Sequence, residues 1–337
     1  MPKKWDKRVL CILMQWDYCD KRRGISGDKL AFLEPISELV KDVDVFWYDE
    51  YIHDLPKLRQ LVYEKAEAFG PDLIFFPTYT DQFDAGTLDR LKARWQTCGW
   101  FGDDTWRFDS YSSRLAPHFT HVCTTDVFSV EKYRGLGIEP ILTQWAAASV
   151  AGAAPMPPVP GFRYDVSFVG AYNQVRGWFV KMLGRHGIMV DCFGAGWPNG
   201  KITTDEMFEI FRHSKINLNL SNSVPRDIRY VLGGVMNLAR YLRSPKKAEQ
   251  IKARNFEIPL AGGFQLTNYV PSLDRYLKIG EEVAVYSSPE DCAELIRHYL
   301  KNEPERSRIL LAGHARAVRE HTFVNRFRDI FSSIWER

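Results

Sequence analysis

Residues 252–269 read KARNFEIPLAGGFQLTNY. The run has three parts. Residues 252–260 mix charged and apolar positions as an amphipathic helix does, Gly262–Gly263 break it, and Phe264 to Thr267 have the apolar character of a short buried strand. Helix, glycine break and strand make one αβ unit of a wound α/β domain. Two cations, Lys252 and Arg254, and a carboxylate, Glu257, stand near a break where a ligand could approach the backbone closely. On one helix Lys252 and Arg254 would lie about 200° apart, too far for one anion to engage both. Arg254 and Glu257, three residues apart, share a face.

The same alternation extends in both directions. In the first half, strands are predicted at 9–15, 43–48, 72–79, 97–104, 121–126 and 140–145. Helices are predicted at 29–39, with Asp28 as N-cap, and at 53–69 and 85–95. In the second half, strands are predicted at 165–171, 189–195, 215–221, 264–267 and 282–287. Helices are expected at 175–186, 204–213, 226–243, 248–258 and 289–301, with an amphipathic tail over 303–336. Continuous apolar runs such as VLCILM mark parallel strands buried on both faces. Between the halves lies AAASVAGAAPMPPVPGF (146–162), small, proline-rich and uncharged, the composition of a linker. The division reads 1–150, a linker at 151–162, 163–320, and a closing helix at 321–337. A chain of 337 residues exceeds one ordinary core. Ligands of open parallel sheets bind at the carboxyl ends of the strands, so a cleft between the halves is the expected site.

Composition narrows the function. Net charge is only +3, which argues against a nucleic-acid footprint but leaves room for a local phosphate pocket. Aromatic residues reach 14%, with 10 Trp, enough to line a cleft as well as a core. The six cysteines show no paired or metal-type spacing and read as reduced, buried thiols of a cytoplasmic protein. No apolar run suits a signal peptide or a membrane span.

Motifs exclude more. Gly24-Ile-Ser-Gly27 is all that stands near the first strand turn, and GAGWPNG (194–200) is interrupted by Pro198, so a nicotinamide enzyme is disfavoured. No phosphate-loop motif exists. Asp42-Val-Asp44 sits at the amino end of a strand, the wrong end for a ligand, and the histidines are scattered. No metal is expected. Asp103-Asp104, in WFGDDTW, follows a strand at its carboxyl end, where one carboxylate could serve in proton transfer and the other cap the next segment. GAYNQVRG (170–177) ends a strand in Gly170 and places Arg176 at a helix start, a pattern suited to a diphosphate.

These blocks resemble a known family. DVSFVGAYNQVRGW (165–178), SKINLNLSNS (214–223), QIKARNFEIPLAGGFQLTNY (250–269) and the closing runs from Glu281 are similar to the CgeB-like (spore-maturation-protein-like) branch of the GT-B glycosyltransferases. WFGDDTW and FTHVCTTD with KYRGLGI match more loosely. The resemblance implies an α/β GT-B fold, two Rossmann-like domains facing a cleft, with a last helix crossing back to the first domain. It implies a UDP- or GDP-sugar bound by the second domain, a hydroxyl acceptor bound by the first, and no metal or other cofactor. Glu257 would then hold the donor ribose, and Gly262 and Gly263 would allow close backbone approach. Arg176, Lys252 and Arg254 would face the diphosphate, Gly170 and Ser221 would complete the donor site, and Asp103 or Asp104 would be the acceptor-side carboxylate. Glu249 has the E-x₇-E spacing to Glu257 used by retaining relatives. The segment 222–248 separates the pair from the preceding strand, however, and Glu249 is set aside as coincidence. The rival reading is an inactive nucleotide- or glycan-binding module of a surface or coat assembly.

Overall fold

The structure, a computed structural model, describes residues 4–148, 161–221, 227–246 and 248–336. The linker predicted at 151–162 lies outside the described residues up to position 160. The chain forms two compact units, Met1–Ser149 with Phe323–Arg337, and Val150–Thr322.

The first unit is a six-stranded parallel sheet. Its strands are β1 (Trp5–Leu13), β2 (Val40–Trp47), β3 (Leu73–Pro77), β4 (Gln96–Phe101), β5 (His121–Thr124) and β6 (Ile141–Leu142), in the order β2-β1-β3-β4-β5-β6. Alternation along β1 explains its unbroken apolar run. Leu10 and Ile12 enter one core with Ile74, Phe76, Leu58 and Val62, whereas Val9, Cys11 and Leu13 enter a second core on the opposite face. Helices α1 (Glu34–Leu39), α2 (Leu55–Phe69) and α3 (Ala85–Lys92) cover the sheet. Asp42 and Asp44 lie within β2 and face Arg8 and Lys65, so they are ion-paired strand residues.

The second unit is a five-stranded parallel sheet. Its strands are β7 (Tyr164–Val169), β8 (Asp191–Phe193), β9 (Ser214–Asn219), β10 (Gln265–Asn268) and β11 (Ala284–Tyr286), in the order β11-β10-β9-β7-β8. Its helices are α4 (Gln174–Arg185), α5 (Thr204–Arg212), α6 (Ile228–Leu232), α7 (Val235–Arg243), α8 (Arg254–Leu260), α9 (Pro289–Lys301) and α10 (Glu303–Glu320). Two predicted helices are corrected here. The one expected over 226–243 is broken into α6 and α7 at Gly233–Gly234. The one expected over 248–258 begins only at Arg254, because the Asn255 side chain turns back to accept the Lys252 N–H at 3.0 Å.

The last helix, α11 (Phe323–Trp335), belongs to the first unit. Phe327 packs edge-on against Phe75 at 5.2 Å, Phe323 against Phe32 at 5.7 Å, and Phe331 against Trp5 at 5.8 Å. It therefore supplies part of the second core rather than decorating it.

Candidate functional site

In the second unit the predicted donor residues gather mainly where β7, β9 and β10 end. Asn173 caps α4 by accepting the Arg176 N–H at 2.9 Å. The Arg176 side chain lies across the carboxyl ends of two adjacent strands. Its Nε donates to the Leu220 carbonyl at 2.9 Å and its Nη1 to that of Ala171 at 2.8 Å, with the guanidinium above the Phe168 ring. Gly170 leaves room for this, since a Cβ there would stand 2.8 Å from Phe168 and 3.5 Å from Arg176 Nη1. Ser221, just past β9, donates through both its N–H and its hydroxyl to Asn268 Oδ1, at 3.1 and 2.7 Å.

Arg254 and Glu257 form the expected pair, at 3.4 Å, and Arg254 also donates to the Met207 sulfur. Burial pulls the Arg176 pKa below the usual arginine range, and the positive charge of Arg254 adds to it; Glu249 and Tyr286 oppose the shift. Two like charges in one partly dry neighbourhood destabilise each other unless an anion joins them. Glu249, buried at 6% exposure, thus belongs to the cluster that the sequence reading excluded it from. Broken spacing hid it; the return of the chain after α7 brings it back. Lys252 stands just outside α8, so Lys252 and Arg254 flank a helix start rather than sharing a helix.

Gly262 and Gly263 stand apart from these residues. They join the carboxyl end of α8 to the amino end of β10, about 13 Å of strand away from Asn268. Gly262, at φ +77°, ends the helix. A Cβ on Gly263 would stand 2.7 Å from Asn217 Nδ2 and 3.0 Å from the Phe211 carbonyl, so chain packing accounts for that glycine.

The first unit carries a cavity of about 140 Å³ lined by Asp28, Tyr48, Tyr79, Asp103, Arg107 and Trp145, among others. Its walls are the residues that follow β1 to β4, the ligand end of a parallel sheet. Asp103 faces it. Asp104 does not line it: at 2% exposure its Oδ2 accepts from Thr124 at 2.6 Å and from Tyr133 at 2.8 Å, a buried structural carboxylate. Asp28 is the residue that sequence reasoning missed. It makes no side-chain cap bond to the following helix; instead its Oδ2 accepts the Met14 N–H at 3.0 Å. Burial raises its pKa to about 6, backbone and Ser26 hydrogen bonds oppose the rise, and the charges of Asp49 and Asp17 add to it. Local pattern does not mark it, because the Met14 N–H that its carboxylate accepts lies 14 residues upstream.

Burial likewise raises Asp104 to about 6, against its hydrogen bonds to Ser112, Thr124 and Tyr133. A carboxyl group whose folded pKa exceeds its unfolded one stabilises the fold at low pH, and that contribution is lost as pH rises from about 4 through 6. Asp104→Asn is therefore expected to gain stability relative to the parent chain across that window, by up to about 3 kcal/mol. Denaturant titrations from about pH 4 to about pH 7, a range that spans the unfolded and folded pKa values, check it; a difference that stays constant with pH defeats it.

Among the described residues no group of three or more His, Cys, Asp or Glu could hold a metal ion, and no helix is long and apolar enough to cross a membrane.

A glycosyl transferase-like family model matches residues 176–332, a segment that opens at Arg176 and includes Glu249, Arg254 and Glu257. No curated protein matches the sequence significantly. Several solved structures are similar over nearly the whole chain. The sucrose-phosphate synthase of Thermosynechococcus elongatus aligns with a TM-score of 0.64 and 10% identity, covering 98% of this chain and 99% of that one. Anabaena HepE in complex with UDP and glucose gives 0.61 and 12%, covering 98% and 100%. A glycosyltransferase of Rickettsia africae gives 0.63 and 9%, covering 98% and 99%. At these identities the likeness is one of fold, and it is to GT-B glycosyltransferase structures, as the resemblance implied.

Proposed function

We propose that the chain is a glycosyltransferase that takes a sugar from a UDP- or GDP-sugar and passes it to a hydroxyl acceptor without a metal ion. The observation that carries this reading is the gathering of Arg176, Arg254, Glu249 and Glu257 in one cluster of the second unit, within the segment that matches the family model. Burial, and after it the charge of Arg254, depress the charged state of Arg176, and a diphosphate would relieve that repulsion while gaining charge-assisted hydrogen bonds. Glu257, with two acceptor oxygens, suits the paired hydroxyls of a ribose. The UDP present in the HepE complex supports the same donor class.

On this reading the second unit binds donor and the first binds acceptor, in an enzyme of the CgeB-like branch acting in the cytoplasm. Asp28 and Asp103 face the acceptor cavity. In an inverting transfer, Asp28 takes the acceptor proton as that oxygen attacks the anomeric carbon and the bond to the diphosphate breaks. The charge then collects on the β-phosphate beside the arginines. In a retaining transfer the departing phosphate takes the proton itself.

Incubation of the full chain with radiolabelled UDP- and GDP-sugars and a panel of hydroxyl acceptors is expected to give labelled product. Tight donor binding without turnover, across donors and acceptors, would instead fit the binding module of a surface assembly.

A further inference from the structure

The segment between β9 and α8 does not pack as the other helices do. α7 is the one described helix of eight or more residues that buries no side chain. Val235 is 86% exposed, Leu242 67% and Met236 65%, and Leu232, in the preceding short helix, 68%. The exposure is partly ordered. At 100° per residue Val235, Leu238 and Leu242 share one face of α7, and Asn237, Arg240 and Arg243 share the other, with Met236 between the two arginines. An apolar face of this kind in water is an unpartnered face.

The excursion is nevertheless held in place. Tyr230 is buried and meets Trp178 edge-on at 5.8 Å. Arg229 bridges Asp227 and Glu290, which ties α6 to α9, and Asn237 donates to the Tyr230 carbonyl at 3.0 Å, which ties α7 to α6. So α6 anchors the pair and α7 is presented outward.

We propose that α7 docks the protein on an anionic phospholipid surface, lying in the interface with its apolar face toward the acyl chains. Charge selects this occupant. Residues 235–246 contain Arg240, Arg243 and Lys246 and not one Asp or Glu, whereas Arg229 is already paired with Asp227 and Glu290. A symmetric contact with a second copy would set those cations against themselves with no carboxylate in the segment to pair them. Lipid phosphates supply the missing sign. The short apolar helix, the arginines along its polar side and the exposed Tyr241 near its end are the features of an interfacial helix, whose cations reach headgroups while aliphatic side chains enter the boundary region. The proposal does not depend on the transferase reading, since docking needs neither donor nor turnover.

Co-sedimentation of the full chain with phosphatidylcholine vesicles, and with equimolar phosphatidylcholine–phosphatidylglycerol vesicles, tests it. Binding is expected to the anionic vesicles alone and to weaken with salt. Arg240→Ser with Arg243→Ser should lower the partition coefficient at low salt about 25-fold, roughly fivefold for each cation removed. Val235→Asp with Leu242→Asp should abolish sedimentation while leaving the melting temperature unchanged, because neither side chain is packed. Failure of the parent chain to sediment with anionic vesicles overturns the proposal. So does sedimentation that both double variants retain, or a concentration-dependent dimer in light scattering that Val235→Asp with Leu242→Asp dissociates.

Discussion

Arg254→Ala is expected to weaken the binding of UDP or GDP by about 10- to 100-fold, the loss of one charge-assisted hydrogen bond to phosphate. The same substitution should leave the melting temperature of the ligand-free protein nearly unchanged. The Arg254 charge lowers the Arg176 pKa, so its removal relieves a repulsion, and that gain is set against the loss of the pair with Glu257 and of the bond to Met207. Lower affinity with nearly equal stability is the mark of a group placed for a ligand rather than for the fold. Arg176→Ala should differ. It loses the bonds to the Leu220 and Ala171 carbonyls as well, and is expected to reduce affinity by more than 100-fold together with a fall in melting temperature. Arg176→Lys should not restore either property, because an ammonium cannot reproduce the fixed fork that spans both carbonyls. Titration calorimetry and thermal denaturation separate the two variants; an unchanged dissociation constant in Arg254→Ala would remove it from the donor site.

The second large effect concerns turnover. Asp28→Asn is expected to reduce kcat by about 10²- to 10⁴-fold, the usual contribution of a positioned general base. Donor affinity should stay unaltered, because Asp28 belongs to the first unit and the residues proposed for the donor belong to the second. With its pKa raised to about 6, Asp28 should also give the parent enzyme a rising limb in kcat/KM near pH 6, and that limb should vanish in Asp28→Asn. Asp104 titrates in the same range but is sealed behind Thr124 and Tyr133, so Asp104→Asn should keep the limb. A limb that persists in Asp28→Asn and disappears in Asp103→Asn would transfer the role to Asp103. A rate unaffected by either substitution would favour the retaining route.

The sheets were legible because a parallel strand buried on both faces leaves an unbroken apolar run, as at residues 9–13, whatever surrounds it. The Arg254–Glu257 pair was legible because it is local. Three positions have surroundings set by distant residues. Asp28 looked like a cap, and its carboxylate answers instead to the Met14 N–H. The glycine pair looked like a ligand approach, yet Asn217 and the Phe211 carbonyl, far back in the sequence, fill the space a Cβ would need at Gly263. Glu249 looked misplaced, and only the path of the chain through α6 and α7 returns it to Arg176, 73 positions upstream by number. Local pattern carries period and propensity; it does not carry which loop ends meet.

The aromatic face of α11 has a bearing on how the molecule is made. Phe323, Phe327 and Phe331 fill one side of the first sheet, yet they are translated after the whole second unit. During synthesis the amino-terminal sheet therefore waits with Val9, Cys11, Phe75 and Trp100 uncovered on that side, at ordinary elongation rates of about 5–20 residues per second for roughly ten to forty seconds. The first unit cannot be finished until α11 arrives. For that interval the nascent protein is a natural client for a chaperone, and a premature stop near residue 320 would deliver an intact second unit attached to an unfinished first one.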